Sequence, residues 1–582
     1  MFNFFYAKLA FSNIRRDKRT YLPHIIATAV ISGVYLLIAG LMFSDGLGGL
    51  PNGKTAQSMF IYGMVVFSIF AFFFMVYINN FLIGRRKREF GLYAVLGLEK
   101  RHVGRVLFWE NLFTLGTGLL LGMICALIFG RLAFWILLKL IGCMPESRFV
   151  IGRLAYLITL LFFGAIFVFT SLYNALRVCI ANPMELIKAP KKGEKDSALI
   201  WPLAVIGAIM LIAAYYFAWT VDHSGPALGI FFPLVILVII ATYILMRSGS
   251  VAFLKLLKSN RRIYYRPSGF IAISGMIQRM KQNARSLATI CILSTMLIVT
   301  VSGTMSLYIG REQMLRQYQP HDILIRYRFM DKDEGYTLPT AEEMDEISEN
   351  TMSMLIAAAH DNGVAISRSD FTVRTSDNAR EFFIDMPNTD QTTGLAIINS
   401  FEPSFYHYNE QEKHGGLGIV PRISEIYSQR AYNYAMYGGL LFMGIFFGML
   451  FLAVTVLIIY FKQISEGYDD KAQFDILQKV GMDDKQVKST INSQVLWVFF
   501  IPLGMTLMHM VFASKIMSMM LGAFQLNDYG LILGCIGITC AAFAALYMAV
   551  YFLTSRVYYR IVRWRYRASY ALPYPPFHRQ GK

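Results

Sequence analysis

Charge is scarce in this sequence. Only 16% of its 582 residues are Asp, Glu, Lys or Arg, while 55% are hydrophobic, a balance that excludes an ordinary soluble domain. Cysteine is scarce as well: Cys125, Cys143, Cys179, Cys291, Cys535 and Cys540 lie in or beside apolar runs, without CxxC spacing. Neither a zinc site nor a disulfide framework is expected from that pattern. HExxH and GxSxG do not occur, and no group of carboxylates sits inside the apolar runs as a proton relay would require. The nine histidines are scattered, and His24 and His509, inside apolar runs, read as packing or hydrogen-bonded residues. One phosphate-loop match exists, Gly48–Thr55, but it joins two apolar runs and carries Pro51 in its middle. Its chemistry needs a strand before it and a helix after it, so it reads as a chance match. No catalytic centre or metal site is nominated, no cofactor is expected in this chain, and a cleavable signal peptide is not apparent.

Long apolar runs are abundant. Ten are long enough to cross a bilayer, at about 21–43, 59–83, 105–138, 151–175, 198–221, 227–247, 286–310, 434–461, 489–516 and 529–553. The net charge of +18 is concentrated beside them, in Arg85–Arg105, Arg177–Lys195, Arg247–Arg285, Lys462–Lys488 and from Arg556 onward. Intervening connections such as Ser44–Gln57 and Gly522–Asp528 are nearly free of Lys and Arg. This alternation is the positive-inside pattern and argues against a nucleic-acid partner. It places both termini in the cytoplasm, with an amphipathic, basic N-terminal stretch at Met1–Thr20. The tail of Arg556, Arg560, Arg563, Arg565 and Arg567, interleaved with Tyr558, Tyr559 and Trp564, reads as an interfacial helix on anionic lipid. Asn182–Ile187 begins a second amphipathic piece that runs into the lysines of a basic linker.

One hydrophilic stretch, 311–432, is too long for a loop and is expected to be a small extracellular α+β domain. Pro339-Thr340 opens a helix with Met344, Ile347, Thr351, Met354 and Ala358 on one face, closed near Asn362-Gly363. Strand-like runs follow at Phe371–Arg374 and Glu381–Met386, then an aromatic stretch at Phe401–Tyr408. The stretch holds twenty acidic and eleven basic residues. That excess has a plain reading as solvation and a functional one as attraction for a cationic ligand, with Phe401, Phe405, Tyr406 and Tyr408 as candidate peptide contacts.

The most informative feature is a repeat. Arg85–Val103 (RRKREFGLYAVLGLEKRHV) and Asp469–Val487 (DDKAQFDILQKVGMDDKQV) superpose at one constant offset, matching Phe90 with Phe474, Leu92 with Ile476 and Gly97 with Gly481. Each copy reads as a short surface helix, a glycine stop and a new helix start. Phe90, Leu92, Tyr93, Leu96, Phe474, Ile476, Leu477 and Val480 are candidate docking residues for a cytoplasmic partner, the alternative being a mere connector. The same offset matches Glu110 with Gln494 and Arg131 with Lys515. The basic pair reads as snorkelling side chains or as lipid-headgroup contacts.

RRKREFGLYAVLGLEKRHV and its second copy resemble the cytoplasmic loop of FtsX-type ABC transporter permeases. Ten spans, a domain between the seventh and eighth, NPMELIKAPKKGEK after the fourth and GMIQRMKQNARSLATICILSTM into the seventh resemble the bacitracin-resistance (Bce-type) permeases. The resemblance implies an all-α polytopic membrane protein with two FtsX-like three-helix modules. Its divisions would be 1–58 (N-terminal helix and first span), 59–176 (first module), 177–285 (linker, fifth and sixth spans), 286–310 (seventh span), 311–432 (extracellular domain), 433–555 (second module) and 556–582 (basic tail). It further implies two copies of a separate ATPase subunit carrying ATP and Mg2+, a membrane sensor histidine kinase as a further partner, and a Gram-positive cell membrane. The implied activity is resistance to peptide antibiotics, by removing them from lipid-linked cell-wall precursors or the membrane. The extracellular domain is shorter than is usual in these permeases. The competing class is a secondary transporter exporting a lipid-like or peptide substrate, for which broken, Gly/Pro-interrupted midplane helices would be expected.

Overall fold

The structure is a computed structural model and describes residues 2–49, 53–95, 97–142, 149–180, 199–259, 267–329, 340–376, 379–386, 389–411, 419–479 and 484–563; side chains at 468–495 lie outside the description. Helix α1 (Phe2–Arg16) precedes α2 (Lys18–Met42), the one-turn α3 (Asp45–Gly48), α4 (Gly53–Val95), α5 (Lys100–Ile141) and α6 (Arg153–Ile180). Next come α7 (Ile200–Thr220) and α8 (Ser224–Ile244), which passes through a π-helical turn at Leu245–Gly249 into α9 (Ser250–Ser259). Helix α10 (Pro267–Tyr318) leads into the sheet domain, and α13 (Ile426–Lys479) leaves it. Helices α14 (Asp484–Gly522) and α15 (Tyr529–Arg563) complete the described chain. Ten helices among the described residues are long and apolar enough to cross a membrane, and each overlaps one expected run.

Lipid tails are as apolar as leucine, so these helices associate through close packing rather than hydrophobic burial. Two GxxxG pairs show how. A Cβ at Gly118 or Gly122 of α5 would lie 2.6 Å from Thr28 Cβ or 2.1 Å from Ser32 Oγ of α2. A Cβ at Gly444 or Gly448 of α13 would lie 2.2 Å from Thr304 Oγ1 or 2.6 Å from Val301 of α10. Around these seams Phe60, Phe67, Leu293, Ile298, Phe442 and Leu450 form one continuous core joining α2, α4, α5, α10 and α13.

The surface-helix expectation is corrected at the first repeat. Helix α4 is one continuous helix through Phe90 to Val95, not a span followed by a separate short helix. The run RRKRE between Gly84 and Phe90 consists of good helix formers, so nothing stops the helix earlier. It ends near Gly97, whose φ of +88° is the left-handed conformation that glycine adopts without a Cβ clash. In the second repeat α13 likewise runs on to Lys479, while Val480 and Gly481 lie outside the described residues.

The sheet domain has four antiparallel strands ordered β2-β3-β1-β4: β1 Ile323–Phe329, β2 Phe371–Ser376, β3 Ala379–Ile384 and β4 Ile419–Glu425. Two helices, α11 (Ala341–Asp361) and α12 (Gln391–Gln411), complete it. The expected first helix is present, opened by a capping box between Thr340 and Glu343. Met344, Ile347, Thr351 and Ala358 are buried on its inner face, and Gly363 follows at φ +79°. Strands β2 and β3 match the strand-like runs, whereas Phe401–Tyr408 lies inside α12. Strands β1 and β4 are additional. Each is a direct extension of a long helix, β1 starting five residues after α10 and β4 running without a break into α13.

Candidate functional site

The candidate site has two ends joined by α10 and α13. At the end opposite the sheet domain, Arg86 of α4 and Glu110 of α5 form a buried ion pair, each side chain 3% exposed. Asn13 Nδ2 of α1 donates to Glu110 Oε1 at 2.9 Å and to the Tyr93 hydroxyl at 3.3 Å. Arg86 also pairs with Glu89 at 2.9 Å, and its guanidinium lies 5.4 Å from the Tyr21 ring and 5.2 Å from the Phe90 ring. A charge removed from water is tolerated when it is paired and hydrogen-bonded, as this one is. Four helices thus converge on the base of the repeat segment.

That base orients the candidate docking residues unequally. Phe90 is buried against Ile83, Val103 and Leu107, with Tyr93, Leu98 and Val178 packed around them. Leu92 points outward at 56% exposure. The Leu98 amide donates to the Tyr93 carbonyl at 3.0 Å, closing the turn at Gly97, and Lys100 Nζ donates to the Cys179 carbonyl at 2.6 Å. Of the eight candidates, then, Leu92 is available to a partner and Tyr93 partly so, while Phe90 is a packing residue. The side chains of Leu96, Phe474, Ile476, Leu477 and Val480 lie outside the described residues.

A cavity of about 560 Å³ opens between α4, α6, α10 and α13, with His24 of α2 and Tyr243 of α8 also lining it. Arg177, Arg285 and Lys462 bring positive charge to it, and Glu466, Asn80 and Asn283 share the wall. Arg177 donates to Asn80 at 2.8 Å, Asn283 to Glu466, and Lys462 stands 3.9 Å from Glu466. Neither this cavity nor the Arg86–Glu110–Asn13 cluster is evident from the sequence. Arg86 sits in a run of five charges and looks solvated; its buried partner Glu110 is 24 residues away, and Asn13, which bonds that carboxylate, lies 97 residues before Glu110. Charged residues adjoining an apolar run are the only signal.

At the other end the levers are locked together. Arg430 of α13 makes a two-pronged contact with Glu312 of α10, at 2.6 and 3.2 Å, and the Tyr434 hydroxyl donates to the same carboxylate at 3.4 Å. The Arg311 guanidinium lies 3.8 Å from the Tyr308 ring and 3.7 Å from that of Tyr434. Buried Asp322 then ties three elements to α10. Its carboxylate accepts from Arg316 at 2.8 Å and from the Met386 amide at 2.7 Å, and its carbonyl accepts from the Ile426 amide at 2.9 Å.

The remaining candidates are placed as follows. Phe401 and Phe405 are fully buried in the domain core with Tyr327, Phe382 and Ile397, which corrects their reading as peptide contacts: ring burial on α12 outweighs exposure. Tyr406 is 39% exposed, and the Tyr408 hydroxyl accepts from Asn350 Nδ2 at 2.9 Å. Arg131 is exposed on α5. The Lys515 ammonium donates to the Trp219 carbonyl at 2.5 Å and pairs with Asp222 at 3.1 Å, tying α14 to the end of α7. His509 is hydrogen-bonded to Tyr215 (2.6 Å) and Thr242 (3.1 Å), and His24 is buried and lines the cavity. The Gly48–Thr55 match is preceded by helix α3 rather than a strand, and residues 50–52 lie outside the described residues. Asn182–Ile187 and Trp564 onward also lie outside them.

Ten helices long and apolar enough to span a membrane, with a small four-stranded sheet domain borne on two of them, fit an ABC transporter permease of the FtsX-like kind. Residues 61–183, which take in nearly all of the first module and the start of the linker after it, match the family described as FtsX-like permease C-terminal. It is similar along nearly its whole length to three Bacillus subtilis (strain 168) proteins. It is 21% identical to the uncharacterized ABC transporter permease YvcS, over 96% of this chain and 98% of that protein. It is 21% identical to the ABC transporter permease protein YxdM over 95% and 99% of the two chains, and 20% identical to the bacitracin export permease protein BceB over 87% and 93%.

Proposed function

We propose that this chain is the membrane subunit of an ATP-driven transporter that confers resistance to antimicrobial peptides, detaching them from lipid-linked precursors or from the membrane. Hydrolysis of ATP with Mg2+ takes place in two copies of a separate ATPase subunit, docked at Arg85–Val103 and Asp469–Val487 on the cytoplasmic side. The sheet domain faces outward, both termini face the cytoplasm, and the cell is Gram-positive. A membrane sensor kinase is a further partner in this reading, and anionic lipid surrounds the basic end.

The observation that carries the proposal is the continuity of α10 and α13. They contain 52 and 54 residues, or roughly 78 and 81 Å at about 1.5 Å per residue, well beyond a bilayer of about 40–45 Å. Each runs unbroken from the repeat end to the sheet domain, and the GxxxG seam and the Arg430–Glu312 contact make them one body. Closure of the ATPase pair tilts the modules through the clamped base of α4, reshapes the cavity between them and moves the sheet domain as a rigid load. The bacitracin export name of one relative supports a peptide as the substrate class. Two measurements test the reading. An ATPase subunit co-purifies with the tagged chain, and a cysteine placed at Asn388, but not one at Asp469, is labelled from outside intact cells. Purification alone, or labelling at Asp469, overturns it.

A further inference from the structure

The sheet has two faces of opposite chemistry. One, carrying Ile323, Ile325, Tyr327, Phe382 and Ile384, packs into the domain core. The other follows from the register. Arg374 of β2 is opposite Glu381 of β3, Glu381 is opposite Arg326 of β1, and Arg326 is opposite Arg422 of β4. Arg328 stands two residues along β1 on the same face. Four of the eleven basic residues in 311–432 therefore crowd onto one face of a stretch that is acidic overall. All four are exposed. Arg326 is paired with Glu381 at 2.6 Å, while Arg328, Arg374 and Arg422 have no ion-pair partner among the described residues.

Two arginines directly opposite each other on neighbouring strands repel, and Arg326 with Arg422 is such a pair. An anion between them reverses the sign, because guanidinium presents a planar fork that matches phosphate oxygens. From β2 to β4 is three strand spacings, roughly 14 Å. A single phosphate is too small to reach along that row, whereas a ligand with charges at intervals along its length can follow it. Phe383 and Leu324 flank the charged row on one side and Val420 stands opposite Arg328 on the other, so the face is partly apolar.

We propose that the open face of the sheet is a docking surface for a linear polyanion carrying repeated phosphate groups. It is distinct from the peptide contact considered above, and the domain's acidic excess does not describe it. Binding at several weak points in sequence makes the interaction multivalent and dependent on chain length.

The test uses the full-length protein in nanodiscs of zwitterionic lipid, with a short linear polyphosphate as probe and hydrogen exchange read by mass spectrometry. The expected result is slowed exchange in β2 and β4 on addition of the probe. The R328A/R374A/R422A variant is expected to lose this protection and to weaken binding on the order of tenfold or more. E381Q, which frees Arg326, is expected to tighten binding. Four results would overturn the proposal: no protection of β2 and β4 in the parent protein, unchanged protection in the triple variant, equal protection by orthophosphate at the same phosphate concentration, or protection by anionic phosphatidylglycerol vesicles but not by polyphosphate. Replacing the three arginines with lysine keeps the charge and serves as a folding control. Lysine variants that bind as weakly as the alanine variant, with intact exchange elsewhere, locate the effect in the guanidinium fork.

Discussion

Arg86 and Glu110 are paired where α4 meets α5, each side chain 3% exposed, and Asn13 of α1 reaches the same carboxylate. The pair ties the repeat segment to the membrane helices behind it. Glu110→Gln leaves Arg86 buried without its main counter-charge, and breaking such a pair costs about 3–5 kcal/mol. The variant is expected to melt earlier in detergent and to lose co-purifying ATPase. The double variant R86M/E110M, with both charges removed, should regain most of the stability but not the orientation of Tyr93. Equal melting temperatures for E110Q and the parent would show that the pair does not hold this base together.

Phe90 and Leu92 are two residues apart yet have opposite expected effects. Phe90→Ala opens a void against Val103 and Leu107, and such truncations cost about 3–5 kcal/mol in well-packed sites. Leu92→Asp alters an exposed position and leaves stability nearly unchanged. It should nevertheless reduce ATPase recovery sharply. Normal recovery with L92D would place the docking contact elsewhere.

Arg430→Ala removes the two-pronged contact with Glu312 while leaving the GxxxG seam intact. Glu312 is 42% exposed, so solvent screens the pair and the stability cost is about 1 kcal/mol or less. Transmission should suffer more than folding. ATPase assembly and basal hydrolysis are expected to persist, and stimulation by added peptide to fall. Undiminished stimulation would mean that the levers are coupled by the seam alone.

Tyr327 provides a pH signature for the sheet domain. Burial pushes its phenol up to about 12, and its hydroxyl is hydrogen-bonded to Thr351 at 2.6 Å. Because the folded value is raised above the unfolded value of about 10, the neutral phenol contributes stability that is complete below pH about 10. It is lost as pH rises from about 10 toward 12. Near-ultraviolet circular dichroism should show the domain loosening in that window, and Tyr327→Phe should remove this component of the alkaline transition. An unchanged transition in Y327F would assign it to another group.

The repeated segment, the ten spans and the first domain helix were legible because each rests on local chemistry. A spanning run needs length and apolarity, Gly97 needs a left-handed stop, and Thr340 with Glu343 makes a cap within one turn. Strand β1 was legible in principle, since Ile323, Ile325 and Tyr327 alternate with Leu324 and Arg326, but its arginines and its position beside a spanning helix hid it. The aromatic stretch misled for a simpler reason. Spacing alone does not say whether Phe401 and Phe405 face a ligand or the inner side of α12.

By itself, then, the sequence determined that ten runs are long and apolar enough to cross a membrane, that one segment recurs at a constant offset and that one hydrophilic stretch interrupts the runs. Hydropathy, loop charge and periodicity act over a few residues and need no partner. Only the tertiary structure decided which polar groups meet. Arg86 and Asn13 meet at Glu110 because helix packing brings α1, α4 and α5 together. Four arginines on three strands share one face because strand pairing sets their register. In both cases a charge's energy depends on neighbours distant in the chain, and their identity is fixed only when the helices and strands have packed.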